Sequence, residues 1–317
     1  MITSAKSNQS IYTYVHHPDE YDVCRMEMRA FFGHDTELNY LFSELEIDPS
    51  RSPFIEERLD VLYTATDLIN LKEQIKQLTL GEQTYKVLCL NKRDMNMNKK
   101  IEHTERQQLE REIGLLIDGE PDLDNPDCLF GVIYLDGVWY FGPYTKSESV
   151  WRKHKDKPQQ YSTALNTRIA RAVVNIAVPR IENIKVIDPC CGIGTVLIEA
   201  LSMGISIEGR DINWHVCQGS RKNIAHFGLR GTVTRGPIAE AEDHYDVAII
   251  DLPYNVFTHA SMDEQAEILK HARRIADQAV VVAIDTPDNV IEEAGFEIID
   301  RCVAKKQTFL RHIILCR

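Results

Sequence analysis

From Thr167 onward, apolar runs of strand length alternate with helix-like runs. KVIDP (185–189) precedes TVLIEALSMG (195–204), and SIEGRDI (206–212) precedes HVCQGSRKNIAHFG (215–228). DVAIIDLPY (246–254) is followed by DEQAEILKHARRIAD (263–277), AVVVAID (279–285) and NVIEEAG (289–295). A helix over 168–178 comes before the first of these strands. Strands that are apolar throughout are covered on both faces, and strand–helix alternation makes their sheet parallel. FEIIDRCVA (296–304) and FLRHIILC (309–316) predict a closing antiparallel hairpin at the sheet edge.

The upstream half has a different rhythm. IYTYVHH (11–17), the run 54–65 and TYKVLCLN (84–91) read as strands. Residues 18–33 read as a helix, with Tyr21, Cys24, Met28, Phe31 and Phe32 at helical spacing and Gly33 at its stop. A second helix over 66–78 is predicted to be capped by Thr66, and a third spans 105–117. CLFGVIYLDGVWYFGPY (128–144) is two strands around Asp136-Gly137, a pair suited to a two-residue hairpin turn. The expected organisation is an α+β accessory domain over 1–145, a basic linker over 146–160 and an α/β domain over 161–317.

Composition narrows the picture. The chain of 317 residues has a net charge of −12, most of it before residue 158, which counts against a general polyanion coat. Any polyanion must meet a local patch, and the linker offers one: Arg152, Lys153, Lys155 and Lys157, with Trp151 and Tyr161 beside them. Lys92, Arg93, Lys99 and Lys100 form a shorter cluster that loop solvation explains equally well. The eight cysteines form no CxxC pair, so no metal site is signalled. No apolar run is long enough to span a bilayer, and no leader is evident at the N-terminus. The expectation is a cytoplasmic protein without a membrane partner.

Chemistry concentrates where strands end. In open α/β sheets ligands sit at the carboxyl ends of the strands. VIDPCCGIGT (186–195) is such an end, and its Gly192 and Gly194 let the backbone approach a ligand. The third glycine of a dinucleotide fingerprint is Leu197 here, and no Gly-Lys-Ser/Thr follows, so neither a dinucleotide loop nor a phosphate loop is present. Asp188 would repel a phosphate and suit an amine. Asp211 closes the next strand, where a carboxylate can accept both hydroxyls of a ribose. Together these fit S-adenosylmethionine better than a nicotinamide cofactor. Asp251, Leu252, Pro253 and Tyr254 end a third strand on the same rim.

The order DPCCGIGT, EGRDI, DLPY resembles the amino-directed class I methyltransferases. The chain is more closely similar to the THUMP-domain tRNA (guanine-N2-)-methyltransferases, through NTRIARAVVNIA (166–177) and these three motifs. The resemblance covers 158–317 well and extends weakly to 112–142, where an Asn-Pro-Asp turn leads into the hairpin. It implies a Rossmann-like class I methyltransferase domain with a seven-stranded, mostly parallel sheet, preceded by a smaller, degenerate THUMP-like α+β domain. It also implies S-adenosylmethionine as methyl donor and RNA, foremost tRNA, as partner.

By the same resemblance, Asp188, Pro189, Cys190, Gly192, Gly194 and Thr195 contact the cofactor, as do Asp211 and Ile212. Ser162 and Leu165 meet its methionine end. Pro237 and Ile238 stand where many relatives carry an acidic residue for the adenine. Asp251 and the Leu252 carbonyl would accept the N–H groups of an exocyclic amine, Pro253 fixes the chain direction and Tyr254 stacks on the base. Cys190 and Cys191 read as packing. The expected activity is methylation of an exocyclic amine, guanosine N2 in tRNA foremost. The alternatives are a DNA or protein-amide methyltransferase using the same tetrapeptide, or a non-catalytic protein retaining the fold.

Overall fold

The structure, a computed structural model, describes residues 9–90, 102–161, 164–253, 261–284, 288–306 and 309–317, and of Lys306 and Phe309 the backbone alone. The chain divides into two compact units, and the division is not the contiguous one expected. One unit holds 1–15, 36–50 and 55–148; the other holds 16–35, 51–54 and 149–317. Helix α1 (Tyr21–Phe32) therefore belongs with the C-terminal half. Its periodicity is as expected, and Gly33 ends it in the left-handed region at φ 77°.

The first unit is a mixed sheet. Its strands are β1 (Ser10–Tyr14), β2 (Tyr40–Ser43), β3 (Ile55–Asp60), β4 (Tyr63–Ala65), β5 (Thr79–Cys89), β6 (Asp118–Pro121), β7 (Cys128–Leu135) and β8 (Val138–Lys146). They run in the order β2-β1-β3-β8-β7-β5-β6, with β4 also on β8. Helices α2 (Leu68–Ile75) and α3 (His103–Gly114) bury Leu71, Ile75, Leu109 and Ile113 in a core shared with Val87, Phe130 and Phe141. The α2 cap is Asp67, whose carboxylate accepts the Asn70 N–H at 2.8 Å, rather than Thr66. The hairpin turn at Asp136-Gly137 has φ 49° and 85°, the left-handed pair its sequence calls for.

The second unit is built on a seven-stranded sheet. Helix α4 (Thr167–Ala177) leads into β9 (Val186–Asp188), α5 (Thr195–Ser202), β10 (Ile207–Asp211), α6 (Trp214–His226) and β11 (Thr232–Arg235). Then come β12 (Tyr245–Asp251), α7 (Met262–Ile275), β13 (Ala276–Ala283), α8 (Asp288–Glu293), β14 (Ile298–Lys306) and β15 (Phe309–Cys316). The order is β11-β10-β9-β12-β13-β15-β14. All neighbours are parallel except that β15 runs against β13 and β14, so the closing hairpin lies at the edge as predicted. On one face Ala248, Ile250, Val281 and Ile314 pack with Leu269 and Ala272 of α7 and Ile291 of α8. Helix α4 lies against β12, β13 and β15, and α1 lies against α4 and β14.

Polar side chains fix α1 in place. Glu27 is fully buried and accepts from Ser52 Oγ and from Asn175 Nδ2 (2.7 Å). Arg29 makes a two-pronged pair with Asp300 on β14, at 2.8 and 3.0 Å. Segment 149–157 is likewise part of this unit rather than a free linker. A 3₁₀ turn over Val150–Lys155 buries Trp151 and His154, three residues apart, and leaves Arg152, Lys153 and Lys155 exposed. His154 Nδ1 lies 2.7 Å from Glu199 Oε1, and Arg171 donates to the other oxygen of Glu199 at 2.8 Å.

Candidate active site

Three neighbouring strands bring three carboxylates to one rim. Asp188 ends β9, Asp211 ends β10 and Asp251 ends β12, because the parallel register sets their carboxyl ends side by side. Asp188 is 2% exposed and accepts the Cys190 N–H at 3.2 Å. Burial pushes its carboxyl well above the usual range; the Cys190 N–H opposes this, and the charges of Asp251 and Asp211 add to it. Asp211 accepts Gly192 N–H on Oδ2 (3.0 Å) and Asn213 N–H on Oδ1 (2.8 Å). Each oxygen keeps a lone pair for a ligand.

The glycine turn is built for close approach. Gly194 has φ 81°, and a Cβ there would stand 2.3 Å from Ser220 Oγ. Only glycine fits both the dihedral and the space. Gly192, at φ 49°, lets its N–H turn toward Asp211. Thr195 then opens α5, its Oγ1 buried with no hydrogen-bond partner among the described residues. Cys191 is buried and Cys190 half-buried. Burial and the nearby carboxylates raise both thiols well above their ordinary value, so neither is a ready thiolate and the packing role stands.

Beyond Asp211 lies a cleft of about 310 Å³ lined by Ile212, Arg235, Gly236, Pro237 and Glu240. Ile212 is 71% exposed and Pro237 is exposed, both as cleft walls. Ile238 is different. It is buried in the core cluster with Ile250 and Leu269, so its side chain serves packing rather than the cleft. Glu240 supplies a carboxylate at this wall, 3.8 Å from Arg210, although Pro237 and Ile238 were expected to leave the wall apolar. Leu165 is 4% exposed, held just before α4.

At the tetrapeptide, Asp251 Oδ1 is buried and accepts no hydrogen bond among the described residues. Burial raises its carboxyl to about 7, a shift that Arg311 opposes. Leu252 is buried, its N–H donating to the Val282 carbonyl at 2.9 Å, and Pro253 is exposed. Tyr254 and Ser162 lie outside the described residues, as do Lys92, Arg93, Lys99 and Lys100. In the basic segment Arg152 and Lys155 stand over the Trp151 ring at 5.6 and 5.2 Å, and Arg168 joins them at 5.5 Å. Lys157 does not belong to that surface. It is 8% exposed, its ammonium lies 3.5 Å from the His154 carbonyl, and burial lowers its pKa.

A parallel sheet with a reversed strand next to the edge, a glycine turn after its first strand, and acidic residues closing the first, second and fourth strands define a class I methyltransferase fold. Residues 154–294 match the family described as RMKL-like, methyltransferase domain. The tRNA (guanine(10)-N2)-dimethyltransferase of Methanothermobacter thermautotrophicus is 29% identical over 122 residues, 38% of this chain and 36% of that protein. The enzyme of the same description from Pyrococcus abyssi is 27% identical over 216 residues, 62% of this chain and 64% of its own. The chain thus matches less than two thirds of the length of either relative. The crystal structure of TrmN from Thermus thermophilus aligns with 98% of this chain and 99% of its own at TM-score 0.50 and 14% identity, a likeness of fold.

Proposed function

We propose that this protein transfers a methyl group from S-adenosylmethionine to the exocyclic amine of an RNA base, with guanosine N2 of a tRNA as the target. One observation supports the reading: Asp251 presents a buried carboxylate oxygen that accepts no hydrogen bond among the described residues, on the same rim as Asp188 and Asp211. Such an oxygen is costly unless something arrives to use it. The relatives with tRNA guanine-N2 activity direct the choice of substrate.

The residues present fit the cofactor. Asp188 suits its amine, Asp211 a ribose diol, Thr195 Oγ1, without a hydrogen-bond partner among the described residues, a polar edge, and the Ile212–Pro237 cleft a flat ring with Glu240 at its wall. When bound, the cofactor supplies a methyl group already activated on a sulfonium. The chain's own part is positioning and polarisation. An aniline-like amine is a weak nucleophile because its lone pair is delocalised into the ring. Asp251 Oδ1 accepts one N–H and the Leu252 carbonyl a second, which draws the nitrogen toward sp³ and frees the lone pair. Asp251 would also take the surplus proton of the amine once it has been methylated. Pro253 would keep the carbonyl aimed. The target base must leave its stack to reach this rim. The exposed Arg152, Lys153 and Lys155 would hold the phosphates around it. The N-terminal unit serves as the accessory RNA-presenting domain in this reading.

The test is nucleoside mass spectrometry of total tRNA and rRNA from a deletion strain and its parent. Loss of N2-methylguanosine or its dimethyl form from a tRNA fraction is the expected result. Loss of another methylated base would overturn the guanine assignment. An unchanged nucleoside profile would overturn the RNA substrate.

A further inference from the structure

We propose that Arg311 is a positioning residue for the amine acceptor: reaching from β15, it holds Asp251 in its ionised, hydrogen-bond-accepting form inside the dry rim. The register supports this. Asp251 lies opposite Val282 on β13, and Val282 lies opposite Ile313 on β15. Matched positions on paired strands share a face, and alternate residues along a strand return to it. Arg311, two residues before Ile313, therefore projects from the same face as Asp251. Because β15 runs antiparallel, Arg311 is also near its start, at the carboxyl rim where Asp251 sits.

The electrostatics agree from both sides. The charge of Arg311 favours the carboxylate of Asp251, and the charge of Asp251 favours the guanidinium of Arg311, which burial otherwise disfavours. Among the described residues, the other groups facing Asp251 do not replace Arg311. From β9 and its turn, Asp188 and Cys190 carry negative or neutral groups. Val282 brings no charge from β13. On α4, the cations Arg168 and Arg171 pair with Glu20 and Glu199.

The chemical consequence follows from donor and acceptor rules. A protonated Asp251 presents an O–H that donates, and an amine N–H needs an acceptor. The role in methyl transfer rests on the function proposed above, whereas the charge coupling is a property of the protein alone. Two readouts therefore separate them.

The full chain, labelled with ¹³C-aspartate, is titrated by NMR, with the Asp251 carboxyl signal identified by its loss in D251N. Folding of each variant is checked by circular dichroism. In R311Q the Asp251 midpoint should rise by about one unit or more, the scale of an Arg–carboxylate interaction. R311K, which keeps the charge, should stay near the parent. The acid limb of the pH–rate profile for RNA methylation should move with the midpoint, a loss of roughly fivefold near pH 7 for a one-unit shift that fades at high pH. An unchanged midpoint in folded R311Q overturns the proposal, as does equal displacement in R311Q and R311K. Should R311Q not fold, a displaced midpoint in R311K overturns it alone. A midpoint that moves as expected in a protein that methylates no RNA upholds the coupling and overturns the function.

Discussion

In the proposed reaction Asp251 accepts the reacting amine, so removing its carboxylate should separate binding from chemistry. Asp251→Ala is expected to lower methyl transfer by on the order of 10²–10³, the scale of losing one preorganised polar contact in a dry site. Cofactor affinity, measured by calorimetry, should hardly change, because Asp188, Asp211 and the glycine turn remain. Equal loss of both would place the chemistry elsewhere. Glu27 offers a second test at this scale, one about stability. Burial raises its carboxyl to about 7, although the Ser52 and Asn175 hydrogen bonds lower it. Between its unfolded value near 4.5 and its folded value near 7, the native state binds the extra proton. Stability from this group is therefore complete below the lower value and is lost as pH rises through the higher one. That difference corresponds to roughly 3 kcal/mol. Glu27→Gln keeps both hydrogen bonds if its carbonyl faces Asn175 and its amide faces Ser52 Oγ. Urea unfolding should find parent and variant alike near pH 4, with the variant ahead by up to that amount near pH 8. A constant difference across pH would show that Glu27 does not titrate in this window.

Among the elements, the 3₁₀ turn over Val150–Lys155 shows how a basic surface is displayed by a buried anchor. Trp151 and His154 point inward, and the cations between and after them point out. Replacing Arg152, Lys153 and Lys155 together by Ala should weaken RNA binding and flatten its salt dependence by roughly two to three units of slope, if each meets a phosphate. An unchanged slope would return the turn to a structural role. Lys157 is left out of that variant because it is buried, which its spacing in the sequence could not reveal. The rhythm of polar and apolar residues marks a turn as basic, but only the His154–Glu199–Arg171 network, from helices far apart in sequence, decides which cations face out. The βα alternation was legible because each strand is apolar throughout, and the edge hairpin because FEIIDRCVA and FLRHIILC have no helix between them. The Asp136-Gly137 turn was legible because its dihedrals suit few other pairs. The α2 cap was misplaced by one residue because Thr66 and Asp67 are both competent caps. Arg311 went unnoticed as a lone charge in an apolar strand, a signal only the register makes meaningful.

For the whole molecule, the consequential feature is that the unit with the methyltransferase fold is not contiguous in sequence. The periodicity of 18–33 states which face of α1 is apolar but not which sheet it covers, so the contiguous boundary near residue 146 was the natural expectation. The structure instead places 16–35 and 51–54 with 149–317. Helix α1 buries Val23, Cys24, Met26, Met28, Phe31 and Phe32 and brings Glu27 to Asn175. Large apolar side chains contribute about 1.5–3 kcal/mol each on burial, so the helix accounts for on the order of 10 kcal/mol. Whole domains are stable by only about 5–15 kcal/mol. A fragment comprising 149–317 should therefore fail to fold cooperatively, even though it contains every candidate site residue. It would keep strand and helix content by circular dichroism but show a broad thermal transition and bind a hydrophobic dye. Supplying a peptide of 16–54 should restore a sharp transition, because Arg51 also donates to the Val178 and Pro179 carbonyls at the end of α4 and Ser52 returns to Glu27. A sharp, dye-free transition in 149–317 alone would mean that α1 is an ornament on a self-sufficient domain. In that case the buried Asn175 Nδ2, which donates to Glu27 and the Arg51 carbonyl, and Arg171 Nε, which donates to the Arg51 carbonyl, would have to find other partners within the fragment.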